Sequence, residues 1–275
     1  MPPRTNTSGL SRDLEILDLL AEQTSDRQPS LGVSRVAELL GRDPSQVSRA
    51  LSTLAATGMV ERDADTRGYR IGWKVFALAS LSIESRLAAV AAPYLRRVAS
   101  RTGETTVLCV LRGSDLLTIA VESSSKPLRG VRMQGSTVPA AATSAGRVLV
   151  SEWPDDAVRD FFTPQRLRES GQQPRLRTPT AMLDELAAIR ARGFAVVEDE
   201  FEADLVGCSA PVRGADGHVV AAVNITAPKA RFGDRLDQGG RYLAQVADEL
   251  SARLSGGSGP SSPPAARPGR PTGGR

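Results

Sequence analysis

The chain of 275 residues has a single histidine, His218, and two cysteines, Cys109 and Cys208. One imidazole and two thiols without a C-x-x-C spacing supply no ligand set for a metal, so neither a metal nor a cofactor is expected. His218 stands beside a Gly-Ala-Asp-Gly turn, no Ser/His/Asp set can be drawn around it, and no Gly-rich phosphate loop of standard spacing occurs. Catalytic residues are therefore expected to be none, and the two cysteines are expected to pack as small apolar groups. Aromatic residues make up only 4% of a chain that is 40% hydrophobic, so its cores must be mostly aliphatic. No run approaches the roughly 18 apolar residues of a membrane span, and no basic-then-apolar leader opens the sequence. A cytoplasmic protein with no membrane partner is the expectation. There is no internal repeat.

A strong charge is also missing. The formal net charge is +4, and part of it comes from residues 255–275, which hold Arg267, Arg270 and Arg275 and no acid. Residues 1–72 contain nine arginines, no lysine and ten acids. Any grip on phosphates in that half must come from where its charges lie. Arg42, Arg49, Arg67 and Arg70 are the candidates, while four of the acids fall on the first helix. At this length two domains are the starting expectation.

What is present is organised around Leu31 to Gly72. The periodic segment Val33 to Leu40 predicts a helix, Gly41-Arg42-Asp43 a turn, and Pro44 to Thr57 a second helix closed by Gly58. Asp43 suits the N-cap and Pro44 the first helical position; Gln46 stands where a capping box would reach back. Val47, Ala50, Leu51 and Leu54 share one face, and Ser45, Arg49 and Ser52 point the other way, flanked by Gln46, Ser48 and Thr53. Met59 to Arg62 and Tyr69 to Ile71 read as a hairpin, a wing. This pattern predicts a winged helix-turn-helix, whose second helix enters the major groove, with double-stranded DNA as partner. Ser45, Gln46 and Arg49 are the candidates for base edges, and Ser48, Ser52, Arg67 and Arg70 for phosphates or the minor groove. One alternative is a helical hairpin in an ordinary core; another is a non-catalytic ligand-binding or protein-interaction module whose winged domain binds protein rather than DNA.

Residues 1–9 read as a disordered tail and residues 10–22 as the first helix, capped by Ser11. Trp73 to Arg86 is an apolar helix expected to bridge two domains and help pair two chains, unless it packs within its own domain. Residues 87–254 follow as a second domain. It comprises a helix Ala88 to Arg101 with Pro93 inside it or at a break, strands at 105–111, 116–122 and 131–138, a helix 142–152 and another at 155–162. A polar connection then spans 165–178, followed by a helix 180–192, a strand 194–197, an acidic loop 198–205, two strands around Gly214–Gly217 and a closing helix 241–254. Hairpin-linked strands with helices between them predict an α+β domain with an antiparallel sheet flanked by helices. Residues 255–275 are low-complexity Gly/Pro/Ser/Arg sequence.

One strand face draws notice. Ala222, Asn224 and Thr226 alternate with Val223 and Ile225, and Gly207 and Ser209 alternate with Cys208 and Ala210. Such a face holds an amide, two hydroxyls and a glycine. It suits a small ligand, or else an outer surface facing water. The run Ala142 to Arg147 starts a helix whose first N–H groups suit a carboxylate. The acids Glu198, Asp199, Glu200 and Glu202 read as a solvated loop.

The motifs in order resemble those of the IclR family of bacterial transcriptional regulators. In the first domain they are Val36-Ala37-Glu38-Leu39-Leu40-Gly41, Ser48-Arg49-x-Leu51-x-x-Leu54, Gly58-Met59-Val60-Glu61-Arg62 and Gly68-Tyr69-Arg70-Ile71-Gly72. In the second they are Pro139-x-x-Ala142-Thr143-x-x-Gly146-Arg147, Gly193-Phe194-Ala195, Glu200-Phe201-Glu202, Ala210-Pro211-Val212, Ala221-Ala222-Val223 and Pro228. The resemblance spans roughly residues 10–254. It implies a winged helix-turn-helix, a linker helix and a GAF-like effector domain, in homodimers or tetramers that respond to a small organic molecule. By position, it puts effector contacts at Ser144, Ala145, Val197, Gly207, Asn224 and Thr226. Departures stand at Ala141, Arg147, Val197 and Gly207, where the family often has His, Lys, an acid or polar group, and Cys or Ser. They predict a roomier, more apolar pocket, for a larger or partly aromatic acid.

Overall fold

The computed structural model describes residues 9–24, 29–123 and 133–256, in two compact units, Met1–Arg86 and Leu87–Arg275. Most of the expected N-terminal tail (1–8), the start of the strand expected at 131–138, and nearly all of the C-terminal tail (257–275) lie outside the described residues.

The first unit holds α1 (Gly9–Gln23), α2 (Val33–Leu40), α3 (Pro44–Ala56), the antiparallel pair β1 (Val60–Arg62) and β2 (Tyr69–Ile71), and α4 (Trp73–Ser80). Because α1 starts at Gly9, Ser11 lies inside its first turn and is not the cap expected of it. Aliphatic side chains join the three helices and the wing: Ile16, Leu20, Val36, Val47, Leu51 and Val60 are all buried. Gly41 turns the chain between α2 and α3 with φ 62°, a left-handed conformation that costs any other residue, and its N–H returns to the carbonyls of Ala37 and Glu38. Asp43 caps α3, accepting the N–H groups of Ser45 and Gln46. These bonds, led by that from the Ser45 hydroxyl, hold the Asp43 carboxyl below its ordinary range. Only this forward half of the expected capping box forms; the Gln46 side chain is exposed.

The bridging helix departs from expectation. It stops at Ser80, and α5 (Ile83–Thr102) starts after a break at Leu81–Ser82. Ser82 is the cause: its hydroxyl accepts the Ser85 N–H at 3.1 Å, which is what an N-cap does, while its own N–H closes the previous helix on Ala79. Pro93 lies inside α5 without ending it.

In the second unit, β3 (Thr105–Arg112), β4 (Asp115–Glu122), β5 (Thr137–Pro139), β6 (Ala195–Glu198), β7 (Leu205–Arg213) and β8 (Val219–Pro228) form one antiparallel sheet in the order β5-β4-β3-β8-β7-β6. On one face α5 and α11 (Leu236–Leu254) pack through Leu95, Val98, Leu243, Val246 and Leu250 onto Leu108, Val223 and Ile225. On the other lie α6 (Ser144–Leu149), α7 (Asp155–Phe161) and α9 (Pro179–Arg192), through Val148, Val158, Met182, Leu186 and Ile189. The cores are mostly aliphatic, with Phe194 and Phe232 in one and Phe162 in the other. Cys109 and Cys208 are buried, one in each, and burial pushes both thiols up to about 12.

Three further differences follow from local chemistry. The helix expected over 142–152 ends at Leu149 and is preceded by a 3-10 turn, Ala140–Ala142. The strand expected over 131–138 is confined, among the described residues, to Thr137–Pro139. The polar connection contains α8 (Pro164–Glu169), started by Thr163, which accepts the Arg166 N–H, and by Pro164. Thr178 and Pro179 start α9 in the same way. A short α10 (Lys229–Phe232) precedes α11. Among the described residues no single helix is long and apolar enough to cross a membrane.

Candidate functional site

In the first unit, Val47 and Leu51 point into the core, and Ser45, Gln46, Arg49 and Ser52 are exposed along the opposite side of α3, with Ser48 half-buried between them. Two of these hydroxyls are already committed as donors. Ser45 donates its proton to Asp43, and Ser52 donates to the Ser48 carbonyl at 2.8 Å. Each therefore offers a duplex only acceptor lone pairs. Arg49 is exposed and forms no ion pair among the described residues.

The wing turn is held by Asp63, which accepts the N–H groups of Asp65 and Thr66 and the Thr66 hydroxyl. At its end Arg67 is exposed and adopts φ 56°. Arg70 on β2 is half engaged with Glu61 at 3.3 Å, and Glu61 also accepts the Trp73 N–H. Arg42 plays a different part from the one expected. It donates to the Arg12 carbonyl at 2.7 Å and pairs with Glu15, so it ties the helix turn to α1. Of the four candidate arginines, those left for phosphates are Arg49 and Arg67, with Arg70 in part.

In the second unit, pairing sets Val197 opposite Gly207 and Gly207 opposite Thr226; one step along, Ala195, Ser209 and Asn224 are in register. All face the α6 side of the sheet. This face is covered and not washed by water: Ser144, Ser209, Val197 and Thr226 are buried. The Ser144 hydroxyl meets that of Ser209 at 2.8 Å. One end of the Asn224 amide lies 3.0 Å from the carbonyls of Ile225 and Cys208 and from the Ser209 hydroxyl. Two carbonyls identify that end as the NH2 group, so the other end is the acceptor Oδ1. Gly207 is closely packed here: a Cβ would stand 3.3 Å from the Ile225 carbonyl and the Ser144 hydroxyl oxygen and 3.4 Å from the Asn224 amide. Ala145 has its side chain in the core. The α6 start is capped by Thr143, which takes the Gly146 N–H, and the helix has six residues.

Sequence reasoning missed the charged pair beside this cluster. Arg147, one turn along α6 from Ser144, donates to the Glu200 carboxylate at 2.6 Å, and both side chains are 4% exposed. Glu200 also accepts the Arg175 N–H at 3.0 Å, and Arg147 reaches the Ala141 carbonyl at 3.4 Å. The Arg147 Nε has no hydrogen-bond partner among the described residues. Glu200 is thus not part of a solvated run. Its neighbour Asp199 pairs with Lys229, whose ammonium holds that carboxyl low. The available signal was an arginine within a small-residue helix start, which needs a buried counter-charge.

The chain matches the family model for the IclR helix-turn-helix domain over residues 9–64 and that for the bacterial transcriptional regulator IclR C-terminal domain over residues 80–252. It is 30% identical over 244 residues to the HTH-type transcriptional regulator BhcR of Paracoccus denitrificans, covering 88% of this chain and 85% of that protein. It is 25% identical over 259 residues to the transcriptional repressor IclR of Escherichia coli, covering 93% of each. Among solved structures, Thermotoga maritima IclR superposes with a TM-score of 0.71 at 24% identity, over 90% of this chain and 98% of that one. An IclR homolog from Microbacterium hydrocarbonoxydans, complexed with 4-hydroxybenzoate, gives 0.70 at 22% identity, over 88% and 98%.

Proposed function

Because the chain belongs to the IclR family of bacterial transcriptional regulators, we propose that two copies read an operator together through Ser45, Gln46 and Arg49. Its N-terminal unit is the DNA-binding domain of such a regulator and its C-terminal unit the ligand-binding domain. In the proposal Arg67, Arg70 and Ser48 meet phosphates or the minor groove, and Ser52, its proton already spent, contributes least. The observation that carries the reading is the exposed Arg49 guanidinium on the side of α3 opposite Val47 and Leu51. Arg49→Ala should cost about 1–3 kcal/mol of operator binding if it reads a guanine. Footprinting on the DNA upstream of its own gene tests this; unchanged affinity and sequence preference in the variant refute the role.

Pairing of chains is supported by the apolar run from Trp73 to Ile83, where Phe76 is 77% and Leu81 81% exposed. Two-fold operators need paired domains. Light scattering should give a homodimer or tetramer, and Phe76→Glu should shift it towards monomer with a parallel loss of operator affinity. A clean wild-type monomer at micromolar concentration removes this part.

The effector is proposed to be a small organic acid, larger than two carbons or partly aromatic, held by Ser144, Ala145, Val197, Gly207, Asn224 and Thr226. It acts without turnover, in the cytoplasm where operator DNA is found. Support comes from the covered polar face, where Gly207 brings the backbone close to Ser144 and Asn224. To switch anything, it must bind the DNA-competent and incompetent forms unequally. Titration with 4-hydroxybenzoate and with glyoxylate, read as operator release, tests size: glyoxylate acting as well as the larger acid overturns the assignment.

A further inference from the structure

The face of the sheet remote from the polar cluster carries a recess. A groove of about 380 Å3 opens between the C-terminal end of α5 and the first turns of α11. Its floor is the Phe232 ring and the backbone of Gly239, where a Cβ would collide with that ring at 2.6 Å. Its rim bears Arg101, Arg235 and Arg241 with the amides of Gln238 and Gln245, and no acid lines it.

Two of the three guanidiniums lack a counter-charge. Arg241 pairs with Asp237, but Arg101 and Arg235 form no ion pair among the described residues. Both are held by rings instead. The Arg101 guanidinium lies 4.5 Å from the centre of the Tyr242 ring, and Arg235 lies 5.1 Å from that of Phe232 while donating to the Arg231 carbonyl. A stacked guanidinium keeps its in-plane N–H donors available and loses little rotamer freedom on binding. Planar donors of this kind match the oxygens of phosphate and carboxylate groups.

We propose that this groove binds a small oxyanion, independently of the effector face. Arg101 and Arg235 supply the charge, and Gln238 and Gln245 supply neutral donors. The recess falls within the size of small-molecule pockets, roughly 300–1,000 Å3. It shares a strand with the other face: Cys208 lies under Gly239, 3.3 Å from where a Cβ would stand, between Gly207 and Ser209 of the polar cluster.

Calorimetric titration of the full chain with inorganic phosphate, and separately with succinate, tests the proposal. Saturable binding of at least one is expected. The Arg101→Ser/Arg235→Ser variant should weaken it about tenfold or more, and Gln245→Glu, which sets a carboxylate on the rim, should weaken it too. Asn224→Ala and Arg49→Ala should leave it intact. Tighter phosphate binding assigns a phosphate-bearing ligand, and tighter succinate binding a carboxylate. The proposal is overturned by unsaturable heats, which mean mere counter-ion association, or by full binding in the double arginine variant. Equal loss in Asn224→Ala or Arg49→Ala overturns it as well.

Discussion

Replacing Glu200 by Gln keeps the shape of the side chain and removes one charge. Arg147 is then left ionised, with both former partners 4% exposed and its Nε already without an acceptor. The attraction lost is not the main term. The larger one is the guanidinium left in the interior without compensation, which makes breaking a buried pair cost about 3–5 kcal/mol. For a domain of about 150–250 residues each kcal/mol moves Tm by about 2–4 °C, so a drop of at least about 6 °C is expected. The double replacement Arg147→Met/Glu200→Leu removes both charges. It should recover to within about 1–2 kcal/mol of wild type, the residue being the Arg175 N–H that Glu200 accepts. Urea unfolding followed by the fluorescence of Trp153, with Trp73 replaced, reads the second unit separately. As a control, Asp237→Asn breaks the exposed pair with Arg241 and should cost no more than about 1 kcal/mol. If Glu200→Gln behaves like that control, or the double variant is no better than the single, the buried pair does not matter as argued.

Other expectations are narrower. Arg67→Gly relieves a left-handed backbone at a charged residue, so thermal unfolding should show an unchanged or higher Tm while operator affinity falls; loss of both together would point to a structural role. Cys109 and Cys208, with thiols pushed up to about 12 by burial, should resist a thiol reagent at pH 8 in the native protein and react in denaturant; fast native labelling of either contradicts the burial. Gly207→Ala puts a methyl beside Ser144 and Asn224, and should weaken effector response with operator affinity intact. Thr178→Ala removes the hydroxyl that caps α9 and should cost about 1 kcal/mol in urea unfolding.

Much of this architecture can be read along the chain wherever one side chain and its near neighbours decide the outcome. The polar side of α3 follows from the spacing of Val47, Leu51 and Leu54, and its start from Asp43. Thr178-Pro179 marks α9 by the same chemistry with which Thr163-Pro164 marks α8, yet α9 is 14 residues long with Met182, Leu186 and Ile189 buried, while α8 has six residues and buries only Leu167. The break at Ser82 is hidden by its surroundings. A largely apolar stretch reads as continuous, and which of its serines, Ser80, Ser82 or Ser85, is a cap shows only once both helices are seen.

Partners distant in sequence are a different matter. Asp199 and Glu200 are adjacent acids, and their composition cannot say that one reaches Lys229 at the surface and the other Arg147 in the interior. Strand parity lies between these cases. It places Gly207, Ser209, Asn224 and Thr226 on one side from sequence alone, because alternation is a property of each strand. Whether that side meets water or protein depends on where α6 lands, and Gly146 decides this. A Cβ there would stand 2.0 Å from the Ala140 carbonyl oxygen, so only glycine lets the helix fold back this tightly on the turn before it. The hydroxyl of Ser144 is thereby carried onto Ser209, and a row of polar groups that could have served as an outer surface is covered by α6.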